Sequence, residues 1–425
     1  MLSHAAFVVT RVADNSPHPF DIDDCMVSTA QPVRLSALRI FLIFLRLGLT
    51  CFGGPVAHIG FFRDEFVRRR AWLSDEAFVD IVAVCQFMPG PSSSQVGIAL
   101  GLRQGGLRGA VAAWLGFTLP SAALLCAFGL VMKHFGSATG HGWLQGLQLV
   151  AVAVVAQALW SMARTLCPDM PRLAIALVAM VLTLSFHSPF AQVAVLLAGA
   201  LGGLLLRARL PAPSVSVEPL ESGSVAHSGV ALVLFAVLLC GLPIVATASG
   251  NYALHLFSSF FRVGSLVFGG GHVVLPLLES VVVPSGWVTA DAFIAGYGAA
   301  QAVPGPLFTF AAFLGSVSSG QPAGIVGAAI AVVAIFLPSF LLVIGVLPWW
   351  DRVRAMSHVR FALMGVNAAV VGLLASAFYS PLWVNAIHSV TDFALAVIAL
   401  LLLTKARLPP WLIVGVAAAA GYFLL

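Results

Sequence analysis

Two arginines lie inside apolar runs, each six residues before a phenylalanine that opens a glycine-rich motif. Arg46 precedes Phe-Gly-Gly-Pro at 52–55, and Arg262 precedes Phe-Gly-Gly-Gly at 268–271. A guanidinium carries planar N–H donors that match the oxygens of a tetrahedral oxyanion. Inside a bilayer an arginine costs about 2.5–3.5 kcal/mol on insertion scales and is rarely without a partner. We therefore expect both arginines to contact a transported anion or its pathway; the alternatives are snorkelling to the interface and a structural ion pair.

A second motif, Gln-x-x-Pro-Gly-Pro, follows each glycine-rich motif and begins at Gln86 and again at Gln301. Proline interrupts a helix, so the chain is expected to break here and expose backbone N–H groups at the start of the next helix. The positive end of the helix dipole at such a break favours an anion. Ser92 and Thr309 follow the two breaks, and their hydroxyls could cap the helices or donate to an oxyanion. The alternative is that the glycines and prolines only permit close helix packing.

Titratable side chains near the motifs are candidates for proton coupling. His58 and His272 lie close to the two glycine-rich motifs, and a histidine titrates near neutral pH. An ordinary packing role is the alternative for each histidine. Asp80 and Glu279 are carboxylates in apolar surroundings. Each is a candidate for a proton relay or for an ion pair with one of the arginines.

The composition is that of an integral membrane protein. The chain is 60% hydrophobic and 9% charged, with a mean hydropathy of +1.02, whereas soluble proteins carry about 25% charged residues. Its apolar runs of about 18 to 25 residues suit membrane-crossing helices and lack the alternation of β-barrel strands. The net charge of +5 is modest. We therefore predict the lipid bilayer, and no nucleic acid, as a partner.

The cysteines favour neither a disulfide framework nor a metal centre. There are six, they are scattered along the chain, and none forms a Cys-x-x-Cys pair. This pattern predicts no zinc or iron–sulfur site. No flavin, haem or thiol motif is recognisable either. We therefore predict no cofactor, no metal and no enzymatic activity, which argues against a membrane-bound reductase.

Matched landmarks recur in the same order in both halves of the chain. Beyond the two motifs, Trp72 matches Trp287, and Pro-Ser at 120–121 matches Pro-Ser at 338–339. We infer an internal duplication that brings the paired motifs near the centre of the molecule.

We predict an all-α polytopic membrane protein with about thirteen helical elements. The elements cover roughly 35–56, 77–101, 109–132, 144–163, 172–187, 189–206, 228–248, 253–276, 291–315, 322–347, 361–379, 388–404 and 409–424. The predicted domains are a disordered cytoplasmic tail at 1–33, a first repeat at 34–206, a polar cytoplasmic linker at 207–227 and a second repeat at 228–425.

The order of the elements predicts that the two halves are inverted. Seven elements separate the starts of the repeats, and an odd number makes the second repeat enter the membrane from the opposite face. Arg103 and Arg108 follow the second element, whereas the matching loop at 316–321 has no Lys or Arg, as expected for opposite faces. A cytoplasmic N-terminus then implies a periplasmic C-terminus. The motif-bearing elements are predicted to be broken or re-entrant, and four kinked spans are the alternative.

Phe-Gly-Gly-Pro with a nearby histidine, then Gln-x-x-Pro-Gly-Pro, repeated in one long chain, resembles the chromate ion transporter family in its two-domain form. The second half departs from the pattern, because Gly271 stands where the first half has Pro55 and His272 lies two places earlier than a strict match to His58. The candidate substrate-binding and translocation residues are Arg46, Gly53, Gly54, Pro55, His58, Gln86, Pro89, Gly90, Pro91 and Ser92 in the first half and Arg262, Gly269, Gly270, Gly271, His272, Gln301, Pro304, Gly305, Pro306 and Thr309 in the second.

The resemblance implies a multi-pass protein of the bacterial inner (plasma) membrane that exports chromate from the cytoplasm and confers chromate resistance. Sulfate is the structural analogue, since both are tetrahedral dianions, and residue types alone do not separate the two. Sulfate or another tetrahedral oxyanion is thus an alternative substrate, and an anion channel is an alternative mechanism. A homo-oligomer is compatible with all of these features.

Replacing either arginine with alanine should abolish chromate resistance in cells while the protein stays in the membrane. Arg262→Lys should also fail if planar bidentate contact with the oxyanion matters, because an ammonium group lacks the planar pair of donors. Growth in chromate, with an immunoblot of the membrane fraction, measures both properties. Protection by both Arg46→Ala and Arg262→Ala would show that these arginines are structural.

Overall fold

The computed structural model describes residues 35–52, 54–135, 142–186, 189–209, 225–268, 273–350, 356–406 and 408–424. Within these ranges the regular structure is helical, with no strand, which confirms the predicted all-α class. The predicted tail at 1–33 and most of the predicted linker at 207–227 lie outside the described residues. The helices are α1 Ala37–Thr50, α2 Gly54–Arg63, α3 Asp75–Phe87, α4 Ser92–Phe135, α5 Gly142–Leu166, α6 Met170–Ser185, α7 Pro189–Leu205, α8 Val225–Ser249, α9 Tyr252–Leu266, α10 Val274–Val282, α11 Ala290–Ala300, α12 Phe310–Val317, α13 Gly324–Val346, α14 Ser357–Ala377, α15 Val390–Thr404 and α16 Pro410–Leu424.

The motifs break the helices that carry them, as the sequence predicts. The predicted element 35–56 is two helices, because α1 ends at Thr50 and α2 begins at Gly54. The predicted element 77–101 is likewise divided between α3, which ends at Phe87, and α4, which begins at Ser92. The second half repeats both divisions, between α9 and α10 and between α11 and α12. Apolar runs that look continuous in the sequence are therefore pairs of shorter helices.

Only part of the chain forms helices long enough to cross a bilayer individually. Among the described residues, five helices have both the length and the apolarity to do so. They are Ser92–His134, Gln145–Leu166, Ser228–Ser249, Gly324–Trp349 and Ser357–Ala386. The other apolar helices have 10–17 residues. A fold that combines long spans with shorter, broken elements fits a transporter better than a simple bundle.

The chain reverses direction after the first Pro-Gly-Pro motif. The helix α4 contains a sharp turn at Gly105 and Gly106, where Gly106 has φ +62°. A Cβ atom on Gly101 would lie 2.5 Å from the carbonyl oxygen of Gly109, on the far side of this turn. In a straight helix these two residues would be about 12 Å apart along the axis. The parts of α4 at 92–104 and 107–135 therefore form a hairpin, and α12 and α13 pack together as its counterpart in the second half.

One helix of each half packs against the last two helices of the other half. The helix α5 of the first half packs against α15 and α16 of the second, while α14 of the second half packs against α6 and α7 of the first. Glycines make both contacts close: a Cβ atom on Gly203 would overlap the carbonyl oxygen of Phe361, and one on Gly421 would overlap that of Gly142. Small residues at such helix contacts let the helix backbones approach each other closely within a membrane.

The packing of α5 on the second half matches the packing of α14 on the first, and a two-fold rotation that relates the halves produces this arrangement. Among the described residues, α8 has no counterpart in the first half, and it packs against α9 and α13. It is the seventh of the elements predicted from the sequence, and this seventh element makes the predicted number between the starts of the repeats odd. The reciprocal packing of the two halves fits the inverted repeat predicted on that count.

The arginine-rich segment between α2 and α3 is neutralised by ion pairs. Arg63 donates from Nε to Asp75 at 2.6 Å, and Arg70 donates to Glu65 at 2.7 Å. The hydrogen bond from Arg63 lowers the pKa of Asp75. Burial alone would raise the pKa of Glu65, but hydrogen bonds from Arg70 and Arg69 outweigh it and lower that pKa. The segment thus carries less uncompensated positive charge than its arginines suggest.

Gly203→Ala should destabilise the protein, because the added methyl group forces α7 away from α14. Overpacking of this kind costs about 1–3 kcal/mol. Gly241→Ala, in α8, is the matched control, since nothing lies within 4 Å of a Cβ atom there. Thermal unfolding of the purified variants in detergent should show a lower melting temperature for Gly203→Ala alone. Equal melting temperatures would contradict the close packing of α7 against α14.

Candidate functional site

The Pro-Gly-Pro loop of each half forms a backbone hydrogen bond with the glycine-rich break of the other half. Gly90 donates its N–H to the carbonyl oxygen of Val267 at 2.6 Å. Gly305 donates its N–H to the carbonyl oxygen of Cys51 at 2.9 Å. Val267 and Cys51 each lie immediately before a Phe-Gly-Gly sequence. We call these two hydrogen-bonded pairs the crossings.

Glycine is required at both crossings by backbone conformation, and at the first also by space. Gly90 has φ +120° and Gly305 has φ +99°, in the region that residues with a side chain rarely adopt. A Cβ atom on Gly90 would lie 2.6 Å from Nε2 of Gln95 and 2.9 Å from Oγ of Ser339. Ser339 belongs to α13 of the second half, so the first Pro-Gly-Pro loop is held against the opposite repeat.

The first glycine-rich break and the start of α4 meet at His58. His58 is only 1% exposed, and its Nδ1 lies 3.3 Å from Oγ of Ser93. Its ring also contacts the ring of Phe117 edge-to-face, with centroids 5.2 Å apart. Ser92 and Ser94 are buried beside Ser93. The structure thus brings together the histidine and the serines that the sequence placed in separate motifs.

The second Pro-Gly-Pro motif is followed by a different set of side chains. The Ser-Ser-Ser-Gln sequence at 92–95 corresponds to Leu-Phe-Thr-Phe at 307–310. Thr309 is buried, and its hydroxyl donates to the carbonyl oxygen of Pro306 at 2.7 Å. Its donor is therefore committed to the local turn, and its side chain makes no capping hydrogen bond to α12. Gln301 has a buried amide nitrogen without a partner, whereas Gln86 is exposed.

Comparison with known proteins matches both halves of the chain to one protein family. The chromate transporter family model matches residues 38–204 and again residues 254–422. The chain belongs to the chromate transporter family. No solved structure matches it.

Curated relatives of this transporter cover most of its length. It is 30% identical to a chromate transport protein of Pseudomonas aeruginosa over 81% of each chain. It is 28% identical to a chromate transport protein of Cupriavidus metallidurans, over 95% of this chain and 97% of the relative. It is also 28% identical to a probable chromate transport protein of Synechococcus elongatus, over 89% of this chain and 93% of the relative. The two matched regions correspond to the two halves of the fold.

The two candidate arginines of this transporter have unequal surroundings. Arg46 is exposed on α1, on a helix whose Leu42 and Leu49 are each 53% exposed. Arg262 is half-buried on α9, the helix against which α8 packs. Neither arginine forms an ion pair with a carboxylate among the described residues, so the alternative of a structural pair with Asp80 or Glu279 is not observed there.

The remaining predicted residues are divided between buried positions and positions that the structure does not describe. Asp80 is 3% exposed and Glu279 is half-buried. Asp80 is therefore enclosed by protein, whereas Glu279 is partly exposed. Gly53, Gly269, Gly270, Gly271 and His272 lie outside the described residues.

Gly90→Ala should reduce chromate flux at least tenfold in membrane vesicles, because the methyl group strains the backbone and displaces Gln95 or Ser339. Gly106→Ala is the matched control, since Gly106 also has a positive φ but nothing lies within 4 Å of a Cβ atom there. Flux is measured per amount of protein in the membrane. If the two variants lost flux equally, backbone strain alone would explain the effect and the crossing would have no special role.

Proposed function

We propose that this protein is a secondary transporter that exports chromate from the cytoplasm across the bacterial inner membrane, and that the translocation path passes the two crossings. The observation that carries the proposal is the reciprocal pair of hydrogen bonds, Gly90 to Val267 and Gly305 to Cys51. Broken helices at the interface of inverted repeats are where transporters bind their substrates. Membership of the chromate transporter family supports the oxyanion as the substrate.

The charge of the substrate supports export as the direction of transport. Chromate is a dianion near neutral pH, and a membrane potential negative inside drives each exported negative charge outward by about 2.3 kcal/mol per 100 mV. Export of the dianion therefore gains about 4.6 kcal/mol per 100 mV. A selective path that opens alternately to the two faces is sufficient, and no cation needs to be exported with the anion.

The two-fold relation of the halves supplies a mechanism for alternating access. Each Pro-Gly-Pro loop is bonded to the opposite repeat, so rocking one half against the other moves both crossings together. Helix starts at the breaks direct N–H groups towards the path, where they favour an anion. In this proposal Arg46 and Arg262 add positive charge along the path, and Asp80 and Glu279 are the candidates for a proton relay.

The same arrangement suits sulfate, which has the same shape and charge as chromate. We therefore propose that sulfate competes for the site. The proposed topology places the N-terminus in the cytoplasm and the C-terminus in the periplasm. Cytoplasmic substrate then reaches the crossings from the side on which the loop containing Arg103 and Arg108 lies.

Chromate flux into everted membrane vesicles tests the proposal, because uptake by such vesicles corresponds to export from the cell. We expect energised uptake that saturates, that excess sulfate inhibits and that falls when the potential is collapsed. Vesicles without the protein are the control. Absence of chromate uptake would contradict the proposed substrate, and uptake that does not saturate would indicate a channel.

A further inference from the structure

Several hydrogen-bond donors around the crossings are buried and have no partner in the described structure. Three of them are hydroxyl groups on fully enclosed side chains: Oγ of Ser94, Oγ1 of Thr118 and Oγ of Ser339. These side chains are 3%, 2% and 0% exposed. An unmade hydrogen bond at a buried polar group costs about 1–3 kcal/mol, and folded proteins contain few such groups. Each of the three hydroxyls therefore needs an explanation.

The three hydroxyls lie on segments that meet at the crossings. Ser339, on α13, lies beside Gly90 of the first Pro-Gly-Pro loop. Ser94 follows Ser93, which contacts His58. Thr118 follows Phe117, whose ring packs on that same histidine. The carbonyl oxygen of Phe117 in turn lies 3.2 Å from the position of a Cβ atom on Gly305.

An oxyanion is the ligand that this set of groups fits, because it supplies acceptors and no donors. Hydroxyl groups bind an anion without placing a permanent charge in the empty site. An arginine at the same depth would have to be desolvated in every cycle after the substrate leaves. A site made of neutral donors is thus easier to empty and to reorient than a site made of guanidinium groups.

We propose that the hydroxyls of Ser94, Thr118 and Ser339 are direct ligands of the transported oxyanion and donate hydrogen bonds to its oxygens. The inference rests on the proposed transport function and specifies its site: neutral donors from both halves hold the dianion at the crossings. Arg46 and Arg262 then act on the approach of the anion and not on its final coordination.

Gln95 has a different role from the three hydroxyls. Its Nε2 donates to the carbonyl oxygen of Pro89 at 2.6 Å, which holds the first Pro-Gly-Pro loop in place. Its unpartnered Oε1 is an acceptor and would repel a fully ionised oxyanion. We therefore assign Gln95 to the positioning of the loop and not to substrate binding.

The test compares two serines at matching positions of the repeats. Ser339 follows Pro338, and Ser121 follows Pro120, but the hydroxyl of Ser121 already donates to the carbonyl oxygen of Thr118 at 3.0 Å. Ser339→Ala should raise the chromate concentration for half-maximal flux about tenfold, because a hydrogen bond to a charged group is lost. Ser121→Ala should change it less than twofold. Ser339→Cys keeps a group of the same shape, slightly larger, that donates only weakly, so it should behave like the alanine variant.

The outcomes separate the ligand assignment from the transport function. Normal half-saturation in Ser339→Ala and Ser94→Ala, with wild-type flux intact, would overturn the assignment and leave the function standing. Absent flux in the wild type would overturn the function. In that case the assignment is judged by the rise in melting temperature that chromate or sulfate induces in the purified protein. The rise should be lost in Ser339→Ala and kept in Ser121→Ala, and its retention in both would overturn the assignment.

Discussion

The structure depends on satisfying the backbone groups that the helix breaks expose. In hydrocarbon an unpaired N–H or C=O group costs several kcal/mol, so non-helical backbone survives only where protein or a polar cavity surrounds it. Here the N–H of each Pro-Gly-Pro glycine finds a carbonyl oxygen at the break of the other half. Neither half supplies this partner to itself. The helix breaks therefore also hold the two halves together.

The two halves also depend on each other through their apolar core, because α5 packs against α15 and α16 while α14 packs against α6 and α7. One buried cluster combines Leu149 and Val152 of the first half with Val274 and Phe310 of the second. Lipid provides no hydrophobic driving force between helices, so such contacts rely on close packing. This explains the glycines where α7 packs against α14 and where α5 packs against α16. The two repeats consequently share one apolar core.

The two halves are similar in fold but have different side chains after their Pro-Gly-Pro motifs. Serines follow the first Pro-Gly-Pro motif, whereas aromatic residues such as Phe308 and Phe310 follow the second and are almost completely buried. Among the described residues, an additional helix, α8, packs against the first helix of the second half but not against that of the first. The two halves therefore share an arrangement of helices but differ in the side chains that follow their Pro-Gly-Pro motifs.

Much of this protein follows from its sequence by itself. Low charge and long apolar runs determine a helical membrane protein, proline and glycine determine where the helices break, and matched motifs determine the duplication, since all of these are local properties of the chain. The sequence did not show that each break is bonded to the opposite half, that Arg46 is exposed while Arg262 is half-buried, or that the hydroxyls of Ser339 and Thr118 are buried without a partner. Those features depend on contacts between residues far apart in the chain. Only the tertiary structure decides which donors find partners within the described part of the protein and which do not.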